Sequence, residues 1–591
     1  MLELLTQPFS GAGLMRGAKK LARTLRERKD LRPLRVAILG GASSQELVTL
    51  LELFLLQRGF DATFWQSEYG RYYEDAVLDS SELVEFKPDL VHVQTGIRNI
   101  RNWPAVHSSD EEVHRLAGNE LGRLKQIWDG LDRAVACPIL QNNFEMPDLR
   151  LLGNLDGKIA GGATSFVLEL NREIACAARQ RPSLILNDIH YLSAQLGLTQ
   201  WYDWSRWFSY KMPSSLDGSV VTAHNLAVLV AARFGLAKKV LVLDLDNTLW
   251  GGVIGDDGVD RIVIGRETAK AEAYTQFQEY CVALKQRGVV LAVCSKNTDA
   301  IARTGFEHPD SILKITDFAC FRANWEPKHE NIKAIAKALD LGLESFVFVD
   351  DNPAERALVA AQLPMVAVPE VGDDVSDYAR ILDRAQYFEP LAISEEDLKR
   401  AEQYQSKAAA TETQATFANY GEYLLSLEMV AEVGPFVAKY LDRITQLTNK
   451  TNQFNLTTLR LSITDITRMA ESPEYLTLYV KLSDRFGDHG LISVVIGEQI
   501  GDVLHLRLWL MSCRVLKRDV EVLVLDELVR IARERGVRAI HGYYFRTPKN
   551  DLVSKHYRDL GFTALVEEAA NSEWILETST YQPKNGSIVL K

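Results

Sequence analysis

A chain of 591 residues is too long for one hydrophobic core, and three or four domains are expected. With 47% hydrophobic and 25% charged residues it is ordinary globular protein, and its net charge of −12 argues against broad nucleic-acid binding and against an anionic membrane surface as partner. The six cysteines (Cys137, Cys176, Cys281, Cys294, Cys320 and Cys513) form no CxxC pair, which disfavours a zinc site or a disulfide framework and fits a reducing, cytoplasmic setting.

The N-terminal segment 1–33 is basic from Arg16 onward (RGAKKLARTLRERKDLRPLR continues to Arg35) and reads as a solvated amphipathic helix rather than a targeting peptide. From 34 to 225, strands RVAILGG, DATFWQ, DLVHVQTG and CPILQNN alternate with helical stretches, which predicts a parallel sheet with right-handed crossovers. Ser43 or Ser44 after the first strand is a candidate nucleophile. Asn142 and Asn143 are candidate oxyanion donors, and His190 or His224 a candidate base. No tight motif joins them, so a structural or docking module is preferred. The longest apolar stretch, VVTAHNLAVLVAARFGL, is interrupted by His224, Asn225 and Arg233, so no membrane span is expected.

A second α/β module is predicted from 237 to 390, with strands KVLVLDLD, VVLAVCSKN, SFVFVDD and MVAVPE. Its first strand ends in Asp244 and Asp246. Residues two apart on a strand share a face, so both carboxylates emerge together at the strand's C-terminal end, where open α/β sheets bind ligands. Like charges that close require a cation between them, and Mg²⁺ is the expected one because it takes oxygen ligands beside phosphates. Three further signals follow at predicted strand ends: Ser295 in AVCSKN, Lys328 in WEPKHENI, and Asp350-Asp351 in VFVDDNPAER. A carboxylate can take a phosphoryl group, a second carboxyl can move protons, and a hydroxyl and an ammonium can neutralise phosphate oxygens. Thr248 and Asn297 join Ser295 and Lys328 as phosphate-binding candidates, and a third carboxylate completes a metal site.

A polar helical linker is expected over 391–419 (SEEDLKRAEQYQSKAAATETQA), followed by a module from 420 to 576 with a different rhythm. Strands MVAEVGPF, LTLYVKLSDR, GLISVVIGEQI and DVLHLRLWLMS come close together before the helix DVEVLVLDELVRIARERG, which predicts an α+β fold with an antiparallel meander. Residues 577–591 read as a tail.

The four signals of the second module resemble the haloacid dehalogenase (HAD) phosphotransferase superfamily. The resemblance implies Asp244 as nucleophile and Asp246 as acid/base. It implies Mg²⁺ held by Asp244, the backbone carbonyl of Asp246, and Asp350 or Asp351. The wider segments LDLDNTLWGGVIGDDG, NWEPKHENI and FVFVDDNPAERA, with LTNKTNQFNLTT, DRFGDHGLISV and WLMSCRV farther on, are similar to the FkbH family within HAD subfamily IIIC. Membership implies a transferase/phosphatase that dephosphorylates 1,3-bisphosphoglycerate and loads glyceryl, or a similar short hydroxyacyl group, onto an acyl carrier protein for polyketide-type biosynthesis. A thiol is implied to hold the acyl group in transit. Cys294 is the nearest candidate, although strand alternation can turn it into the core, and Cys513 is the second. The chain carries no carrier-protein serine motif, so the carrier is expected in trans.

The third module resembles a GNAT acyltransferase, and the first a degenerate SGNH-hydrolase or flavodoxin-like sheet. At the turn where the GNAT pattern wants glycines stand Lys517 and Asp519, which disfavours CoA-dependent acetyl transfer and leaves docking of a phosphopantetheine arm, with Lys517 and Arg518 facing an acidic carrier. Asp488 and His489 are expected to shape a Gly-flanked turn, and Lys549 and Asn550 to start a helix. Two rival functions remain open at this point: a plain phosphatase acting on a small phosphorylated metabolite, and a non-catalytic docking scaffold.

Overall fold

The structure, a computed structural model, describes residues 2–393, 398, 404, 420–451, 454–485, 487–512, 515–516, 518–547, 550–568 and 571–591. Most of the expected linker, together with Cys513, Lys517 and Lys549, lies outside the described residues. The chain divides into two compact units, Met1–Ala232 and Arg233–Lys591.

The first unit is built on a five-stranded parallel sheet: β1 (Arg32–Gly40), β2 (Phe60–Gln66), β3 (Leu90–Gln94), β4 (Ile139–Asn142) and β5 (Leu184–Asn187), in the order β2-β1-β3-β4-β5. Val36, Ala37, Ile38 and Leu39 are fully buried, as expected where helices cover both faces of a parallel sheet. The four-residue strand β5 has no counterpart among the expected strands. The basic N-terminal helix is not a solvated appendage. Gly11–Arg26 buries Leu14, Ala18, Leu21 and Leu25, and Arg26 pairs with Glu52 and with Asp61 at 3.1 Å. The interrupted apolar stretch forms the helix Leu216–Arg233, buried along nearly its whole length. Among the described residues no helix is long and apolar enough to cross a membrane.

The serine–histidine reading of this unit is corrected by its hydrogen bonds. Ser43 Oγ donates to the Tyr210 carbonyl at 2.6 Å and Ser44 Oγ to Gln66 Oε1 at 2.8 Å. His224 is packed between Phe9 and Phe54, with ring centroids 5.0 and 5.3 Å away. Asn142 Nδ2 donates to the Thr95 carbonyl, and Asn143 binds Asp188 and the His190 backbone N–H. These groups tie the strand ends to the loops beyond them.

In the second unit, β6 (Val240–Leu243), β7 (Val290–Ser295), β8 (Phe318–Ala323) and β9 (Phe346–Val349) form a parallel sheet in the order β8-β7-β6-β9. Alternation divides them cleanly. Leu241, Leu243, Leu291, Val293, Val347 and Val349 enter one core, and Val240, Val242, Val290, Ala292, Cys294, Phe346 and Phe348 enter the other. The expected strand MVAVPE contributes only a bridge from Ala367 to Val347, and the edge strand β8 takes a place the sequence reading left blank.

The third module is an eight-stranded mixed sheet. Its strands are β10 (Met429–Gly434), β11 (Tyr475–Asp484), β12 (Gly487–Ile500), β13 (Val503–Met511), β14 (Ala539–Phe545), β15 (Thr563–Glu567), β16 (Asn571–Glu577) and β17 (Ile588–Leu590), in the order β15-β16-β14-β13-β12-β11-β10-β17. The expected meander is β10 to β13, antiparallel throughout. β13 and β14 run parallel only over Val503–Leu506 and Ala539–Gly542. Beyond that point the chain itself fills the gap: Leu456 N–H donates to the Trp509 carbonyl and Phe545 N–H to the Leu456 carbonyl. The expected tail is part of the sheet, because β17 pairs with β10 and Asp526 accepts from Tyr581 Oη and the Lys584 and Asn585 N–H groups.

One buried acid at the end of the first sheet makes a pH prediction. Glu145 is 3% exposed, its Oε2 accepts from the Ile97 N–H at 3.2 Å, and burial pushes its carboxyl up to about 7. Folded, the group holds its proton more tightly than unfolded, so stability falls as pH rises from its ordinary value of 4.5 through about 7. Glu145→Gln is uncharged throughout and is expected to flatten that decline. Urea unfolding followed from about pH 5 to about pH 8 checks it.

Candidate active site

The site lies where β6, β7 and β9 end. Asp244 follows β6 directly, and its N–H donates to the Val349 carbonyl at 3.0 Å. Asp350 follows β9 and is fully buried. Lys328 is the first residue of the helix Lys328–Leu339, and its Nζ lies 3.0 Å from Asp244 Oδ1 and 2.5 Å from Asp350 Oδ2. Burial works against charge on this ammonium, but Asp244 and Asp350 outweigh it and hold its pKa above the ordinary lysine value. Asp350 is pushed up to about 6, first by burial and then by Asp244. Asp351 is raised for the same two reasons.

Oxygens of Asp244, Asp350 and Asp351 lie within 4.8 Å of one another. Asp244 Oδ1 faces Lys328 but makes no hydrogen bond, which leaves it a free lone pair in a buried place. Three carboxylates against one ammonium leave two negative charges. The donor set therefore fits a divalent, oxygen-loving cation such as Mg²⁺. Asp351 belongs to this group. The carboxylate of Asp246 does not.

Asp246 is held apart from this group. Its Oδ1 accepts from Trp250 Nε1 at 2.9 Å and from the Ile254 N–H at 3.0 Å, and its Oδ2 from Asn297 Nδ2 at 3.1 Å. Burial raises its pKa, the Ile254 and Trp250 donors oppose the rise, and the charge of Asp244 adds to it. Asn297, expected among the phosphate-binding groups, thus spends its amide on Asp246. Thr248 is likewise engaged, its Oγ1 accepting from the Asp351 N–H at 3.1 Å. Ser295 ends β7 and is 2% exposed.

Two groups that sequence reasoning missed, Trp250 and Arg356, complete the site together with Asn352, which follows the aspartate pair in the expected Asp350-Asp351-Asn352 signal. Trp250 stands four residues after Asp246, close enough to return its indole N–H. Arg356 is buried, and its Nη1 donates to the carbonyls of Asp350 at 2.8 Å and Asp351 at 2.7 Å. Asn352 donates its backbone N–H to Asp350 Oδ1 and caps the helix Pro353–Gln362 through Ala354 N–H. Trp250 and Arg356 lie within the quoted motifs, four residues after Asp246 and five after Asp351, and that spacing was their signal.

Cys294 as a transit thiol is corrected. It is fully buried among Val242, Ala292 and Phe348, and its Sγ lies 3.6 Å from the Lys328 carbonyl. Burial pushes the thiol well above its ordinary value, which suppresses the thiolate that acyl transfer needs. Adjacent strand residues face opposite ways, so the site takes Ser295 and the core takes Cys294.

The basic face expected in the third module is corrected as well. Arg518 is 5% exposed and turned inward, paired with Asp484 and 3.1 Å from His489 Nε2. His489 Nε2 also lies 2.8 Å from the fully buried Asp484 carboxylate, so it belongs to a buried cluster rather than an open turn. Asp519 adopts φ +58°, the left-handed region that favours glycine and that Asp tolerates better than most residues. Asn550 is buried and bridges the Asn455 and Phe545 carbonyls at 2.9 Å each.

Residues 35–230 match the family described as FkbH, N-terminal domain. The chain is 30% identical to the crystallised N-terminal part of the protein BF1531 from Bacteroides fragilis, which contains a phosphatase domain complexed with Mg. That match covers 64% of this chain and 99% of the other, with a TM-score of 0.58. The GNAT domain of S. lividans PAT matches at 18% identity over 24% of this chain and 89% of its own, with a TM-score of 0.21. The ribosomal-protein-S18-alanine N-acetyltransferase from Escherichia coli matches at 12% identity over 27% of this chain and 99% of its own, also at 0.21. No curated protein sequence matches the chain.

Cys294→Ala is expected to cost about 1 kcal/mol of stability through the small cavity it leaves, while phosphate release stays within about twofold of the parent. Chemical unfolding and a phosphate assay on the same preparation check both halves.

Proposed function

Because the chain belongs to the FkbH-like family of HAD phosphatases, we propose that it is a Mg²⁺-dependent transferase/phosphatase. Its substrate is 1,3-bisphosphoglycerate, and its acceptor is the thiol of an acyl carrier protein supplied in trans. The observation that carries the phosphoryl chemistry is the Lys328 ammonium lodged between Asp244 and Asp350 with Asp351 alongside.

The reaction has two parts. The carrier thiolate adds to the acyl carbon, the carbon–oxygen bond to the acyl phosphate breaks, and inorganic phosphate leaves. The remaining phosphate ester is then cleaved at Asp244. A carboxylate oxygen bonds to phosphorus, the ester P–O bond breaks, and Asp246 protonates the departing alkoxide. Asp246 next accepts a proton from water as that water attacks the phosphoaspartate, which releases phosphate and restores Asp244. The raised pKa of Asp246 suits the donor half of this cycle, and its three donors suit the acceptor half. Lys328 and Ser295 meet the phosphate oxygens, while Asp244, Asp350 and Asp351 would hold the cation. Bound Mg²⁺ supplies neutralisation of the charge on the transferring phosphoryl group.

The inward turn of Cys294 favours direct transfer to the carrier over a thioester at Cys294. The same observation favours a second reading, a phosphatase of small phosphorylated metabolites that loads no carrier.

Incubation with 1,3-bisphosphoglycerate, Mg²⁺ and a holo carrier protein, followed by intact-protein mass spectrometry, separates the two. A glyceryl adduct on the carrier supports the transferase, and phosphate release without one supports the second reading. Asp244→Asn is expected to lower phosphate release by about a thousandfold or more, and unchanged release would remove both.

A further inference from the structure

Lys296 stands directly after Ser295, the last residue of β7, and its ammonium has no part in the chemistry described so far. Its Nζ lies 2.5 Å from Glu355 Oε1. Glu355 is in the first turn of the helix Pro353–Gln362, which follows β9 and Asp350. In the sheet, β6 lies between β7 and β9. The ion pair therefore joins the ends of the two strands that flank the one leading into Asp244. Besides burial, the charges that act on the Cys294 thiol are those of Lys328, Asp244, Asp350 and Glu355, which places Glu355 within reach of the same centre.

The buried cations of the site are already engaged. Lys328 is 4% exposed and lodged between Asp244 and Asp350. Arg356 donates to the Asp350 and Asp351 carbonyls and pairs with Glu370. Lys296 differs from both. Its side chain is 38% exposed, and among the described residues Glu355 is its one ion-pair partner. An ammonium has three N–H groups, so two remain to donate outward. The Glu355 side chain is 14% exposed, so the pair is anchored at its acidic end and open at its basic end.

We propose that Lys296 selects substrates that carry a second anionic group, and that Glu355 positions it. The assignment rests on cleavage of a phosphate ester at Asp244. With that ester at Lys328 and Ser295, the free N–H groups of Lys296 meet an anion at the substrate's other end. In the bisphosphate this anion is the acyl phosphate, the group that the carrier thiolate displaces. Lys296 forms no bond to carbon or phosphorus and keeps its proton; it neutralises the anion by charge-assisted hydrogen bonds. The substrate class is thus a short organic phosphate with a phosphate or carboxylate at its far end.

Calorimetric titration of the full-length Asp244→Asn protein with Mg²⁺ tests this without turnover. The ligands are 3-phosphoglycerate and glycerol 3-phosphate, which differ only in a carboxylate against a hydroxymethyl group. The carboxylate ligand is expected to bind about tenfold or more tighter, the worth of one charge-assisted contact. Adding Lys296→Gln is expected to weaken 3-phosphoglycerate about tenfold and leave glycerol 3-phosphate within about twofold, whereas Lys296→Arg keeps the preference. Equal affinities in the Asp244→Asn protein overturn the proposal, as does a preference that survives Lys296→Gln. Equal weakening of both ligands by Lys296→Gln makes the ion pair a structural tie and also overturns it, as does no binding of either. Phosphate release from the same two esters by the parent protein reports separately on the phosphatase reading: release from both, with equal affinities, leaves that reading standing and removes only the role of Lys296.

Discussion

Three carboxylates and one ammonium brought together at the end of a buried sheet set the terms for the rest of the catalytic module. Charges removed from water are costly unless they are paired and hydrogen-bonded. Lys328 offsets one carboxylate, and the two negative charges that remain define a place for a divalent cation. Around this centre the fold supplies rigid support. β6 and β9 are hydrogen-bonded neighbours, so Asp244 and Asp350 leave the sheet side by side. Arg356 draws in the carbonyls of Asp350 and Asp351, and Asn352 anchors Asp350 while it starts the next helix.

Two aspartates one residue apart, Asp244 and Asp246, sit in different surroundings there. Asp244 faces the Lys328 ammonium. Asp246 faces an indole N–H, a backbone N–H and a side-chain amide, none of them charged. Neutral donors stabilise a carboxylate without removing its capacity to be protonated, while burial and a neighbouring negative charge keep the proton within reach. One short loop thereby holds two carboxylates of different character, as the proposed nucleophile and proton carrier require.

The other modules are held by interactions between distant segments. In the third module, the gap where β13 and β14 diverge is closed by residues from an earlier part of the chain, and the sheet's edge beside β10 is covered by the C-terminal strand. Arg518, His489 and Asp484 form a buried polar cluster there. In the first unit, Asn142, Asn143, Asn187 and Thr95 link the strand ends to one another and to the loops beyond them. Such satisfied polar contacts at buried strand ends rigidify the sheet and specify one arrangement of the loops.

The phosphoryl site was legible because its signals are local: an apolar run of strand length, carboxylates at period two, and a helix start after each. Strand alternation alone foretold that Cys294 and Ser295 part company. It did not say which of them enters the core, since that depends on which helix covers which face of the sheet. For the same reason Asn297 reads as a phosphate ligand in sequence and as a support for Asp246 in space, and Arg518 reads as a surface cation yet is buried. The amino-acid sequence by itself determined the α/β class, the order of the modules and the types of group at the strand ends, because these follow from hydrophobic period and residue chemistry within a few turns. Only the tertiary structure decided partner and facing, from the docked N-terminal helix to strand β17, because those depend on contacts between residues far apart in the chain.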